Sequence, residues 1–354
     1  MIFDNVQKKI DEGIVGENVG LDMRLGRLID YVPNLQQETM YLIGGESGSG
    51  KSAFAYNHLL YFPYEDWLKN HSETCNFKAF VWSLEMSKEI ITTKAICRQI
   101  WLENKILVDV NYVLSRGKNR ISSEIYNLVK TKRAYFEKFE EHVEIFSAEN
   151  PTGIWNTMLN YMETTGKIYT KPVETKTGTI QVFDKYVPYK NQYVLLIVDH
   201  ISLLRKERGM NKKEVIDKMT EYAIELRDKF KITPIFVQQL NRNLSSTDRM
   251  KMDKMDPMLS DFAESSDTQH AANFIFSLFS PYRYDLKNYR GFNIDALGDR
   301  YRSLGVLKTR DGEANFLMGL GFLGETGLFK ELPKASEMKA LDYEQIINIK
   351  KYKL

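Results

Sequence analysis

One run of residues limits the folds open to this chain more than any other: Gly45-Glu46-Ser47-Gly48-Ser49-Gly50-Lys51-Ser52. An apolar stretch, Thr39 to Gly44, leads into it, and a helix-compatible segment, Ala53 to Leu60, follows. A buried strand feeding a glycine-rich turn and then a helix makes backbone N–H groups converge on an anion, and the helix adds its positive end. The spacing GxxxxGK[ST] predicts that Lys51 reaches the β and γ phosphates of a nucleoside triphosphate and that Ser52 offers its hydroxyl to Mg²⁺. Residues Gly45 to Ala53 are thus the expected binding segment for ATP or another NTP. A Gly/Ser-rich surface turn would fit the same letters but would not need the strand before it or the helix after it.

The rest of the chain alternates. Apolar strands are expected at Lys78–Leu84, His142–Phe146, Tyr193–Asp199 and Ile232–Val237, and helices at Ser87–Asn104, 121–138, 151–165 and 213–230. Continuous apolar strands separated by helices predict an α/β fold with a mostly parallel sheet covered on both faces, which binds ligands at the carboxyl ends of its strands. After residue 273 the pattern becomes strand-rich (Asn273–Phe279, Gly305–Arg310, Asn315–Phe322), predicting antiparallel strands at the sheet edge. Thr- and Lys-rich alternation over 167–192 predicts a β-hairpin insertion, and 243–258, with no usable period, a mobile loop. At the amino end, Phe3, Val6 and Ile10 share one face of a helix over 2–12 that Gly13 and Gly16 should end. It either folds back on its own domain or packs on a neighbouring subunit. The expected division is 1–19 linker helix and linker, 20–335 one ATPase domain, and 336–354 a tail with a short helix.

Composition narrows the class. The chain has 354 residues, a formal charge of +2, and 43% apolar against 27% charged residues, an ordinary globular balance. Any nucleic-acid affinity must therefore come from local clusters. Cys75 and Cys97 lack metal-ligand spacing and read as reduced thiols. No apolar run approaches a membrane span, and Met1 to Asn5 do not begin a secretory signal, so the expected location is the cytoplasm.

Several polar residues fall where strands should end. Asp199 closes the most apolar strand, where a carboxylate suits Mg²⁺ opposite Ser52. Glu85, in Ser83-Leu84-Glu85-Met86-Ser87, is placed to polarise an attacking water. Gln239 closes the 232–238 strand and could sense the γ-phosphate; Gln238 competes, since alternation sends the two amides to opposite faces. Lys308 and Arg310, two residues apart on a predicted strand, could supply cations to a phosphate, or form a solvated basic edge. Arg205, Lys206, Arg208, Lys212 and Lys213 surround one acid, Glu207, directly after the Asp199 strand, a concentration that suits a phosphate backbone.

In order and spacing these strings resemble the RecA-type motor of DnaB-family replicative helicases, including phage-encoded versions, from about Gly20 to Phe322. Ser83 to Ser87 is similar to the family's string around its catalytic glutamate, and Leu196-Ile197-Val198-Asp199-His200 to its second nucleotide motif. Gln239-Leu240-Asn241-Arg242 resembles its sensor string, and Lys308-Thr309-Arg310-Asp311-Gly312 the element that reaches into the next subunit's site. The resemblance implies a RecA-like P-loop core and a homo-oligomeric ring, usually of six subunits, with NTP between protomers. It also implies single-stranded DNA passing the loops after 204 and 241, with Arg242 among the DNA contacts, and a primase, polymerase or loader as further partners. It makes helix 2–12 the linker helix that docks on a neighbour. This sequence departs from the family in three places. No separate domain is expected ahead of helix 2–12, so assembly is expected to depend on that helix and on nucleotide. In the string Leu259 to Ser266, Ala263 stands where Arg is common and Ser266 where Gly is. The 167–192 insertion has no counterpart in the plainest members. The rival expectations are a recombinase-like filament, a non-motor nucleotide switch and a small-molecule kinase.

Overall fold

The computed structural model describes residues 2–14, 18–176, 178–241, 249, 255–262, 266–310 and 312–349. The strands are β1 (Tyr41–Gly45), β2 (Asn76–Ser83), β3 (Val143–Phe146), β4 (Gly166–Thr175), β5 (Gly178–Pro188), β6 (Gln192–Asp199), β7 (Thr233–Gln239), β8 (Phe274–Phe279), the short β9 (Asn288–Tyr289) and β10 (Phe292–Asn293), β11 (Tyr301–Thr309), β12 (Phe316–Leu323) and β13 (Leu328–Glu331). Nine of them form one sheet in the order β13-β12-β11-β8-β1-β7-β6-β2-β3. From β8 to β3 every pairing is parallel; β11, β12 and β13 are antiparallel. The fold is the RecA-like α/β arrangement with an antiparallel edge. One sequence expectation shifts: β8 runs parallel to β1, and the reversal begins only at β11.

Strand alternation divides the core. On one face Tyr41 and Ile43 of β1, Leu195 and Ile197 of β6, and Ile235 and Val237 of β7 pack with Phe54, Tyr64 and Phe139. These come from α2 (Lys51–Tyr56), α3 (Phe62–Asn70) and α7 (Arg133–His142). On the other, Leu42, Leu196 and Phe236 meet α8 (Pro151–Thr165) and α9 (Lys212–Phe230) through Ile154, Met158, Val215, Met219 and Leu226. The inner parallel strands β1, β6, β7 and β8 are buried on both faces almost throughout and show no polar alternation, whereas β3 at the sheet edge leaves Glu144 exposed.

Between these lie α4 (Lys88–Asn104), capped by the Ser87 side chain, and α5 (Val110–Val113). The 121–138 segment is two helices, α6 (Ser123–Thr131) and α7, separated at Lys132. Helix α2 passes through a π-helical turn, Asn57–Tyr61, into α3. Strands β4 and β5 pair only with each other, as an antiparallel ribbon outside the main sheet. At the amino end α1 spans Ile2–Ile14, so Gly13 lies within the helix; Gly16 is outside the described residues. Its apolar residues Phe3, Val6, Ile10 and Ile14 are exposed. A further helix, Ala340–Ile347, lies near the carboxyl end.

Candidate nucleotide site

The phosphate loop leaves β1 at Gly45 and enters α2 at Lys51. Gly48 and Gly50 have φ of +74° and +98°, a conformation that glycine alone adopts without strain. Around them the loop forms a cradle whose buried Ser49 hydroxyl makes no hydrogen bond. A side chain at Gly45 would collide with that hydroxyl, its Cβ coming within 2.2 Å of Ser49 Oγ. The helix start, the open cradle and the orphan hydroxyl fit a phosphate group.

The register of the parallel strands gathers the other groups at the same edge. Ser83 pairs with Asp199, Asp199 with Val237, and Gly45 with Gln239. Ser52 donates its hydroxyl to Asp199 Oδ1 at 3.0 Å. Asp199 is fully buried; its Oδ2 makes no hydrogen bond of good geometry, with the Tyr56 hydroxyl beside it. Burial pushes the Asp199 carboxyl up, opposed by Tyr56, Ser52 and the Lys51 charge. Burial likewise pushes the Lys51 ammonium down, opposed by the charges of Glu85 and Asp199. Desolvation thus penalises both charges, and their mutual attraction offsets only part of that penalty. A carboxylate and a hydroxyl side by side, one oxygen still open, form a donor set suited to a hard cation such as Mg²⁺.

Glu85 lies just beyond β2, exposed, and its charge acts on both Lys51 and Asp199. The two glutamines separate as alternation requires. Gln239 falls on the α2 face in register with Gly45 and is exposed, whereas Gln238 is fully buried on the α9 face with neither amide atom bonded.

Lys308 and Arg310 are not part of this cluster. Because β11 runs antiparallel to β8, Lys308 pairs with Ile275 while Gly45 lies level with Leu278. The pair therefore sits at the opposite edge of the sheet. Lys308 Nζ donates to the Gln269 and His270 carbonyls at 2.7 and 3.1 Å, and Arg310 Nη2 to the His270 carbonyl at 2.9 Å. Both cations thus face the carboxyl end of the helix Ser266–Ala271, where the helix dipole favours them.

All five residues of the basic cluster, Arg205, Lys206, Arg208, Lys212 and Lys213, are exposed. Lys212 and Lys213 open α9, Lys213 pairs with Asp217 at 2.7 Å, and Glu207 is held by Lys218 and Thr152. Arg242 lies outside the described residues, as do most of the 243–258 loop and Ala263 to Ser265. Sequence reasoning missed three residues that reach the phosphate loop from the far end of the chain: Arg302, Arg283 and Tyr284. No local pattern marks them.

A RecA-type sheet with a phosphate loop after its central strand, and a carboxylate facing that loop's serine, defines a P-loop nucleotide-binding domain. Residues 20–331 match the DnaB-like helicase C terminal domain, and the chain belongs to that family. Among solved structures it is similar to one described as an ATPase domain, with 17% identity, a TM-score of 0.68, and 94% of this chain and 99% of that chain covered. It is also similar to "The Structure Of A DnaB-Like Replicative Helicase And Its Interactions With Primase", with 18% identity, a TM-score of 0.66, and 94% and 67% covered. At those identities the likeness is one of fold. No curated protein gave a significant sequence match. No helix among the described residues is long and apolar enough to cross a membrane.

Proposed function

We propose that the chain is the motor of a replicative DNA helicase: a cytoplasmic, ring-forming ATPase that moves on single-stranded DNA. The observation that carries this reading, together with the family, is the gathering of Lys51, Ser52, Asp199, Glu85 and Gln239 around one phosphate cradle. In this reading the loop amides and Lys51 bind the β and γ phosphates, and Ser52 and Asp199 hold Mg²⁺. The metal, when bound, supplies charge neutralisation for the phosphates. Glu85 orients and deprotonates the attacking water, and Gln239 senses the γ-phosphate and passes its loss to the segment after 241.

Lys308 and Arg310 serve the neighbouring protomer's site. Their position at the edge away from their own phosphate loop supports this, since neither side chain faces it. The exposed apolar face of α1 suits docking on that neighbour, and a six-membered ring follows the family pattern. Arg205, Lys206, Arg208, Lys212 and Lys213, all exposed after β6, are the DNA contacts that the described residues offer. The solved relative described with primase supports a primase partner; a polymerase or loader is the further partner that the family resemblance implies. The corresponding organisation is a docking segment over 1–19, the motor over 20–335 and a tail over 336–354, with the 167–192 ribbon as an insertion.

ATP hydrolysis measured with and without single-stranded DNA, with Lys51→Ala as the blank, tests the reading. Strong stimulation by DNA is expected. Hydrolysis indifferent to DNA would replace the motor with a nucleotide switch or scaffold.

A further inference from the structure

The phosphate loop is held from behind as well as formed from within. Arg302, on β11, is 1% exposed, and all five of its N–H groups have acceptors. Nε donates to the Ser49 carbonyl at 3.0 Å, and Nη2 to the Gly48 carbonyl at 3.4 Å and Asp299 Oδ1 at 3.0 Å. Nη1 donates to the Asp299 and Tyr301 carbonyls, each at 2.7 Å. The guanidinium lies over the Phe322 ring, 4.7 Å from its centroid. Arg283 extends the grip, with Nη1 donating to the Ser47 carbonyl at 2.5 Å, and Tyr284 donates its hydroxyl to Glu46.

In a trans peptide the carbonyl of one residue and the N–H of the next lie in one plane and point in opposite directions. Pinning the carbonyls of Ser47 and Ser49 therefore fixes where the N–H groups of Gly48 and Gly50 point. The Ser49 N–H is already given to the Glu46 carbonyl at 3.1 Å. Glycines at positive φ are the residues that would otherwise rotate most freely, so the loop needs outside support to stay ready for an anion. Folding alone gives little reason for this arrangement. Burying a guanidinium is costly, and its one carboxylate partner among the described residues, Asp299, is itself mostly exposed.

We propose that Arg302 is a positioning residue for the triphosphate, with Arg283 the exposed half of the same clasp. Together they preset the phosphate loop and place two cationic groups behind it. The proposal rests on the reading of Gly45 to Ser52 as the triphosphate site. A fluorescent ATP analogue titrated into the full-length protein and its Lys51→Ala, Arg302→Met, Arg302→Lys and Arg283→Met variants tests it.

Arg302→Met is expected to weaken binding ~10–100-fold, and Arg283→Met, at an exposed position with one bond to the loop, ~3–10-fold without a change in Tm. Arg302→Lys, which keeps the charge and some donors, should recover part of the affinity, and KM for ATP should rise more than kcat falls. A clasp that only props the fold would lower the fraction of protein that binds and leave the dissociation constant of that fraction unchanged, which overturns the proposal. If Arg302→Met does not fold, Arg283→Met decides: wild-type affinity there overturns it too. Wild-type affinity in Lys51→Ala would instead sink the triphosphate site itself, a failure separate from that of the clasp.

Discussion

His58 is a buried imidazole in the π-helical turn after α2, with Nδ1 2.7 Å from the Met23 carbonyl and Nε2 unbonded. Burial pushes its pKa from 6.5 down to about 4, helped by the charges of Arg98 and Arg24 and opposed by the Met23 bond. Between those values the unfolded chain binds a proton that the folded chain excludes. Stability should therefore fall as pH drops from 6.5 toward 4 and level off below, with this one ring contributing on the order of 3 kcal/mol. His58→Leu should flatten that part of a Tm-against-pH profile while lowering Tm at pH 7, because the Met23 carbonyl loses its partner. An unchanged slope would mean that other groups dominate. At this scale the sequence was legible where chemistry is written in consecutive letters. Lys51, Ser52 and Asp199 could be read because the phosphate loop and the strand end each carry a local pattern. Arg302 could not, because its meaning is a contact with a loop 253 positions earlier in the chain.

Among the elements, α1 and β8 are the most instructive. The spacing of Phe3, Val6 and Ile10 gave the helix, and Gly13 failed to end it because one glycine inside a helix costs only about 1 kcal/mol. Ile14 extends the same apolar stripe and stands 78% exposed. Removing residues 1–14 should leave the thermal midpoint of a single subunit unchanged, since those apolar side chains are not buried in this chain, and should abolish oligomers in light scattering. A drop in the midpoint with oligomers intact would place the helix on its own domain. The direction of β8 was not legible, because a six-residue apolar strand reads the same in either orientation and only its pairing with β1 decides. The break between α6 and α7 was equally hidden, since the Lys, Tyr and Glu of 121–138 suit a helix throughout.

For the whole molecule the central question is whether its site is complete within one chain. The phosphate loop, Asp199, Glu85 and Gln239 share one edge of the sheet, and Lys308 and Arg310 occupy the other. If the second pair serves a neighbour, Lys51→Ala and Arg310→Ala subunits are each inactive alone. Mixed, they should regain part of the hydrolysis, because some interfaces then join an intact loop to an intact arginine. No recovery in mixtures shown to co-assemble would count against a shared site. The strand joining the two edges is β11, which touches its own phosphate loop through Arg302 and carries Lys308 six residues, or ~20 Å, away. Around a ring, such strands would make a closed chain of crossbars, each with one end at its own nucleotide and the other at the next. Loss of a phosphate in one subunit would then be felt next door as a tug on a stiff rod, so the order of firing around the circle would be built into the sheet itself.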